Sequence, residues 1–118
     1  MMKKYKITSE TRKIDNFILY RIEATEDFGK FGVAVKKGDK GGWIEKESNL
    51  SGDAWVFGNA RVYGDARVYG DAWVFGNARV YGDAGVYGDA WVYGDAWVYG
   101  NARVCGNARV CGDDKVHY

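Results

Sequence analysis

Residues 70 to 87 repeat residues 52 to 69 with a single change. Both blocks read Gly-Asp-Ala-Trp-Val-Phe-Gly-Asn-Ala-Arg-Val-Tyr-Gly-Asp-Ala-x-Val-Tyr, where x is Arg67 in the first and Gly85 in the second. Inside each block a shorter unit, G-[DN]-A-x-V-[FYC], recurs every six residues from Gly52 to Cys111. A chain that returns to the same residues at so short a period stacks coils of backbone, each touching only its neighbours. The two periods are nested. If the six-residue unit is one side and the sequence resets after three units, each coil has three sides and 18 residues.

The hexad explains itself residue by residue. Alternate positions of a strand point to opposite faces, so Ala54 and Val56 face inward while Trp55 and Phe57 face outward. Ala and Val are small and apolar, as a narrow interior demands, and Val suits a pleated surface. Gly58 and Asn59 turn the corner, because glycine tolerates positive φ and Asn or Asp adopts the left-handed region more readily than most residues. Counting back in sixes from Val56 gives Leu50 and Ile44, and forward from Val110 gives Val116. Ser48 and Ala54 then take the small inward position. The spacing predicts a prism over residues 43–118, about four coils stacked ~4.8 Å apart.

Residues 1–42 form a different element. Lys4 to Thr8 alternates, Phe17 to Ala24 is a β-rich run, and polar Ser9 to Asn16 lies between them, which reads as a hairpin. Phe28 to Val35 adds a short strand, and Lys36 to Gly42 is a turn-rich connector. A stacked prism leaves unpaired N–H and C=O groups at its ends, so a hairpin ahead of the first coil is placed to cap it. No comparable cap follows the last coil, where His117 and Tyr118 are the candidates for a plug and two copies are placed to meet tail to tail.

Formal net charge is +1, so nucleic acid is not an expected partner. Proline is absent, as strands paired on both edges require. There is no apolar run long enough to span a bilayer and no signal-peptide core, which leaves the membrane out and makes the cytoplasm the expected setting. Cys105 and Cys111 lie one hexad apart on neighbouring sides, with diverging side chains, so free thiols are expected rather than a disulfide. With His117 as the third possible ligand, no zinc site is expected, and neither is a cofactor.

The unit Val-Tyr-Gly-Asp-Ala-Arg resembles the hexapeptide-repeat proteins, whose signature is an aliphatic residue, turn residues, then a small residue. That resemblance covers roughly residues 43 to 118 and implies an all-β, left-handed parallel β-helix. More narrowly, Gly41-Gly-Trp-Ile-Glu-Lys-Glu-Ser-Asn-Leu-Ser51 ahead of the repeats looks like small hexapeptide-repeat proteins of phages and prophages, which implies a host bacterial cytoplasm. Many hexapeptide-repeat proteins are acyltransferases with a histidine base near a loop that leaves the prism. Here the one histidine is His117 and no insertion interrupts the coils, so no catalytic residue is assigned.

The three sides are not equivalent. One carries Trp55, Trp73 and Trp91 in a column beside Phe57, Phe75 and Tyr93. These rings form ladders that stiffen the coil, and six of them make an apolar patch larger than monomers usually expose, expected to bury against another copy as a dimer or trimer. The other sides mix arginine with tyrosine, either as a solvated surface or as an anion site. Gly85 removes a side chain between Arg67 and Arg103, beside Tyr69 and Tyr87, leaving a recess for a small anionic, nucleotide-like ligand. Arg61, Tyr63, Arg79 and Tyr81 form a competing site on the neighbouring side. The expected function is therefore non-enzymatic ligand capture by an oligomer, directed under the phage resemblance against a host defence signal. The alternatives are an inhibitor that binds a host macromolecule and, third, an acyltransferase-like enzyme.

Overall fold

A computed structural model describes residues 4–14, 16–30 and 33–117. Residues 1–3 of the expected cap, and the expected plug of the His117 side chain and Tyr118, lie outside the described residues. From the N-terminus the strands are β1 (Tyr5–Ile14), β2 (Phe17–Ala24), β3 (Phe28–Lys30), β4 (Val33–Val35) and β5 (Lys40–Ile44). The repeats follow as β6 (Trp55–Val56), β7 (Arg61–Val62), β8 (Arg67–Val68), β9 (Trp73–Val74), β10 (Arg79–Val80) and β11 (Gly85–Val86). They continue as β12 (Trp91–Val92), β13 (Trp97–Tyr99), β14 (Arg103–Val104), β15 (Arg109–Val110) and β16 (Lys115–His117).

These short strands stack into a three-sided parallel β-solenoid of about four turns, with about 18 residues per coil. One side is β6, β9, β12 and β15; the second is β8, β11 and β14; the third is β5, β7, β10, β13 and β16. Pairing joins residues one coil apart: Trp55 with Trp73, Trp73 with Trp91, Arg61 with Arg79, and Gly85 with both Arg67 and Arg103. The long sequence period is thus the length of a coil.

Every coil hydrogen-bonds the next. Phe57 N–H donates to the Val74 carbonyl at 2.8 Å and Arg61 N–H to that of Ala78 at 3.0 Å. Corners pair too, with Asp53 N–H on the Gly70 carbonyl and Asp71 N–H on that of Gly88, both at 2.9 Å. Pairing at these corners satisfies polar backbone groups between the sides as well as along them. Inside, Val56, Val62, Val68, Val74, Val80, Val86, Val92 and Val98 are fully buried, with Ile44 and Leu50 at the top as the register predicts. Gly70 shows why the corner is glycine: its φ is +68°, and a Cβ there would lie 3.0 Å from the Gly88 nitrogen.

The N-terminal strands close the top of the prism. β1 and β2 are an antiparallel hairpin, and β2 pairs antiparallel with β5, so the hairpin continues the third side beyond its first parallel rung. Tyr5, Ile22, Ala24 and Val35 pack into the same core as Ile44 and Leu50. β3 and β4 form a second, smaller hairpin.

Three local expectations need correction. The polar stretch from Ser9 is mostly strand, since β1 runs to Ile14 with a register shift between Ile7 and Thr11. A ladder with β2 holds it extended despite its polarity. The connector before Gly42 is likewise half strand, because Lys40 pairs with Glu23. Ser48 is exposed, not inward. A 3-10 turn at Glu47–Asn49 turns Asn49 inside instead, fully buried. The hexad register places Lys46 where a corner glycine belongs, and Lys46 keeps a negative φ of −152°. Without a positive-φ corner the chain turns differently, and the Asn49 side chain supplies the missing bonds. Its Oδ1 accepts from the Glu45 and Lys46 N–H groups at 3.0 and 2.8 Å, and its Nδ2 donates to the Gly64 and Ala66 carbonyls at 3.2 and 2.8 Å.

Candidate functional site: a recess beside two arginines

On the second side the successive outward rungs are Arg67, Gly85 and Arg103. The missing side chain leaves a cleft of roughly 350 Å³, lined by Asp65, Arg67, Tyr69, Asp83, Ala84, Gly85 and Arg103. All five residues expected there border it: a Cβ on Gly85 would lie 3.7 Å from Tyr87 Cδ1, and the Tyr87 ring stacks on Tyr69 with centroids 4.9 Å apart and planes 6° apart.

Two aspartates were missed, and they change the chemistry. Asp65 and Asp83 are corner residues two positions before Arg67 and Gly85, so the hexad already places a carboxylate beside each outward rung. Asp65 is tied to Lys46, whose Nζ donates to its Oδ1 at 2.9 Å. That hydrogen bond holds the Asp65 carboxyl below the usual carboxylate range and raises Lys46. The recess therefore carries both signs of charge, rather than cations and tyrosines alone.

Arg103 is held firmly. Its Nη1 donates to the carbonyl oxygens of Asp83 at 2.8 Å and of Asn101 and Ala102, both at 3.1 Å. A Cβ on Gly85 would lie 3.2 Å from Arg103 Cδ, so the side chain runs along the empty rung. Arg109 on the first side repeats this clamp, with Nη1 on the carbonyls of Asp89, Asn107 and Ala108 at 3.1, 2.9 and 3.2 Å. There the rung above is filled, by Trp91, whose ring centroid lies 4.4 Å from the Arg109 guanidinium carbon.

The first side carries its aromatic column as the period predicts, but much of it is covered by the chain itself. Trp55 is 1% and Trp73 4% exposed, with Phe28 of β3 edge-on to Trp55 at 5.1 Å. The six-ring exposed patch is thereby reduced to Phe57, Phe75, Trp91 and Tyr93, each half-buried. Trp73 stacks on Trp91 at 5.4 Å and Phe75 on Tyr93 at 4.9 Å. Between the two columns lies a cleft of roughly 280 Å³ lined by Phe57, Trp73, Phe75 and Trp91.

The competing arginine site on the third side fills itself. Arg61 and Arg79 are adjacent rungs between Trp43 and Trp97. Tyr63 is buried, packed on Phe17 at 5.0 Å and stacked on Tyr81 at 5.1 Å, which stacks on Tyr99 at 5.2 Å. Burial, reinforced by the charges of Arg79 and Arg12, lowers the Arg61 pKa. Cys105 and Cys111 are free thiols on separate sides, as expected.

Four segments of the repeat region, residues 60–76, 72–88, 96–112 and 102–118, match a family model described as the YdcK beta solenoid repeat. Each segment begins on an inward alanine (Ala60, Ala72, Ala96 and Ala102), so the match follows the hexad register. Together with the observed coils, this likeness supports a repeat β-helix protein. No curated protein matches the chain.

Proposed function

We propose that this protein acts by binding rather than by catalysis, and that the Gly85 recess captures a small anionic ligand. The observation that carries this reading is the cleft between Arg67 and Arg103, opened where one rung of an otherwise copied repeat lacks a side chain. Arginine forks suit phosphate or carboxylate, and the carbonyl clamp spares the ligand much of the cost of ordering Arg103. Under the phage-type resemblance, the capture would remove a nucleotide-like signal of host defence. Calorimetry of the purified protein against a panel of cyclic and linear nucleotides tests the reading, with Arg67→Ala as control. Loss of one charge-assisted contact should cost about 1.5–3 kcal/mol, at least a tenfold weakening. No heat from any nucleotide, together with a host protein recovered by pull-down, would favour the alternative of a host-macromolecule inhibitor.

A second element of the proposal is self-association through the first side. The aromatic cleft of Phe57, Trp73, Phe75 and Trp91 supports it, since half-buried rings in register offer a second copy apolar surface already fixed in place.

A further inference from the structure

The repeat contains its own template for what fills the Gly85 rung. Trp91 and Gly85 stand at equivalent positions one hexad apart, and Arg109 and Arg103 are the rungs directly beneath them. Both arginines make the same three-carbonyl clamp. On the first side an indole lies between Trp73, 5.4 Å away and 7° from parallel, and the Arg109 guanidinium at 4.4 Å. On the second side the same interval, between Arg67 and Arg103, has no ring in it. A guanidinium fixed by its edge keeps its face available, and planar stacking on that face is favourable.

The groups around the gap narrow the choice of ring. An ionised carboxylate is an acceptor only. Asp65 is committed to Lys46, whereas the Asp83 carboxylate has no ion pair or hydrogen bond among the described residues. A ring edge meeting Asp83 must therefore donate. Guanine presents adjacent N1–H and N2–H donors on one edge; adenine presents a donor beside an acceptor lone pair, which a carboxylate repels. Arg67, exposed and without a carboxylate bonded to it among the described residues, is available for an anionic arm.

We infer that the Gly85 recess is a stacking slot for a guanine nucleotide: the purine lies between Arg67 and Arg103, its donor edge faces Asp83, and its phosphate meets Arg67. This rests on the anion-capture reading and names its ligand class. The test is calorimetry of the full chain with GMP, AMP and ribose 5-phosphate. GMP should bind at least tenfold more tightly than either of the others. Gly85→Trp, which places there the ring found at Trp91, should abolish GMP binding while leaving the β signal intact. Should that variant fail to fold, Arg103→Lys keeps the charge without the plane and should weaken GMP at least tenfold. Asp83→Asn should remove the preference for GMP over AMP. Ribose 5-phosphate binding as tightly as GMP would overturn the slot while leaving anion capture standing. Equal affinity for AMP and GMP, or GMP affinity unchanged in Gly85→Trp or Arg103→Lys, would also overturn the slot. No binding of any of the three would overturn the slot, and anion capture would then stand or fall on the wider nucleotide panel.

Discussion

At the residue scale, Asn49 and Tyr5 show how a single polar group replaces regular structure. Asn49 satisfies four backbone groups at the one early corner that lacks the repeat's glycine. Asn49→Ala should lower unfolding free energy by about 2 kcal/mol, because the buried Ala66 carbonyl loses its partner and three partly buried backbone groups lose a bond; urea denaturation measures this. Tyr5 anchors the cap, its single hydroxyl proton shared between the Leu50 carbonyl at 2.8 Å and the Glu47 carbonyl at 2.9 Å. Tyr5→Phe should cost about 1 kcal/mol near neutral pH. Burial first, and then the Glu47 carboxylate, raise the Tyr5 phenol above its ordinary value. The neutral phenol is thus the native form. Its contribution is fully present below the unfolded-state value near 10 and is lost as pH rises toward the folded-state value. Urea midpoints should therefore fall more steeply above pH 10 for the native chain than for Tyr5→Phe, narrowing the gap between them.

At the element scale, coils and corners were legible because they are written in period, and exceptions were not because each occurs once. Three sides, aromatic columns and the valine interior followed from Gly52 to Cys111 alone. Asn49 could not be read, since counting in sixes assumes a glycine corner that Lys46 does not provide. The burial of Trp55 was hidden for a different reason: Phe28 reaches it from a hairpin 27 positions earlier, and no local pattern encodes that contact. In the recess, the broken repeat points to Arg67, Tyr69, Gly85, Tyr87 and Arg103, whereas Asp65 and Asp83 look in the sequence like any other corner residue of the hexad. Corners also yield a graded prediction. A Cβ at Gly76 (φ +70°) would lie 2.9 Å from the Gly94 nitrogen and 3.0 Å from its oxygen, whereas at Gly58 (φ +53°) it would meet nothing within 4 Å. Gly58→Ala should cost only the left-handed conformation, about 1 kcal/mol. Gly76→Ala carries that cost and a backbone clash besides. Thermal melts should place Gly76→Ala well below Gly58→Ala; equal melting temperatures would mean that the coils separate freely to admit a methyl group.

For the whole molecule, the question is which surface remains apolar once the chain has covered what it can. β3 shields the upper half of the first side through Phe28, and the hairpin of β1 and β2 covers the top. What remains is the lower half, where Phe75, Trp91 and Tyr93 stand half-buried in register. A formal net charge of +1 offers little self-repulsion to keep copies apart. Each Å² of this surface removed from water contributes about 25 cal/mol toward association, against the entropy of bringing two chains together. Trp73 is the wrong residue to test the contact, because at 4% exposure its loss would unfold the coil as readily as separate the copies. Phe75 is the better choice, since it is half-exposed in the cleft and lies outside the valine interior. Sedimentation should show the native chain at a multiple of its own mass and Phe75→Glu at the mass of a single chain, with the β-sheet circular dichroism of the two alike. A native chain that sediments as a monomer at micromolar concentration would leave the aromatic ladders with a purely internal role, stiffening the solenoid that holds Arg67 and Arg103 one empty rung apart.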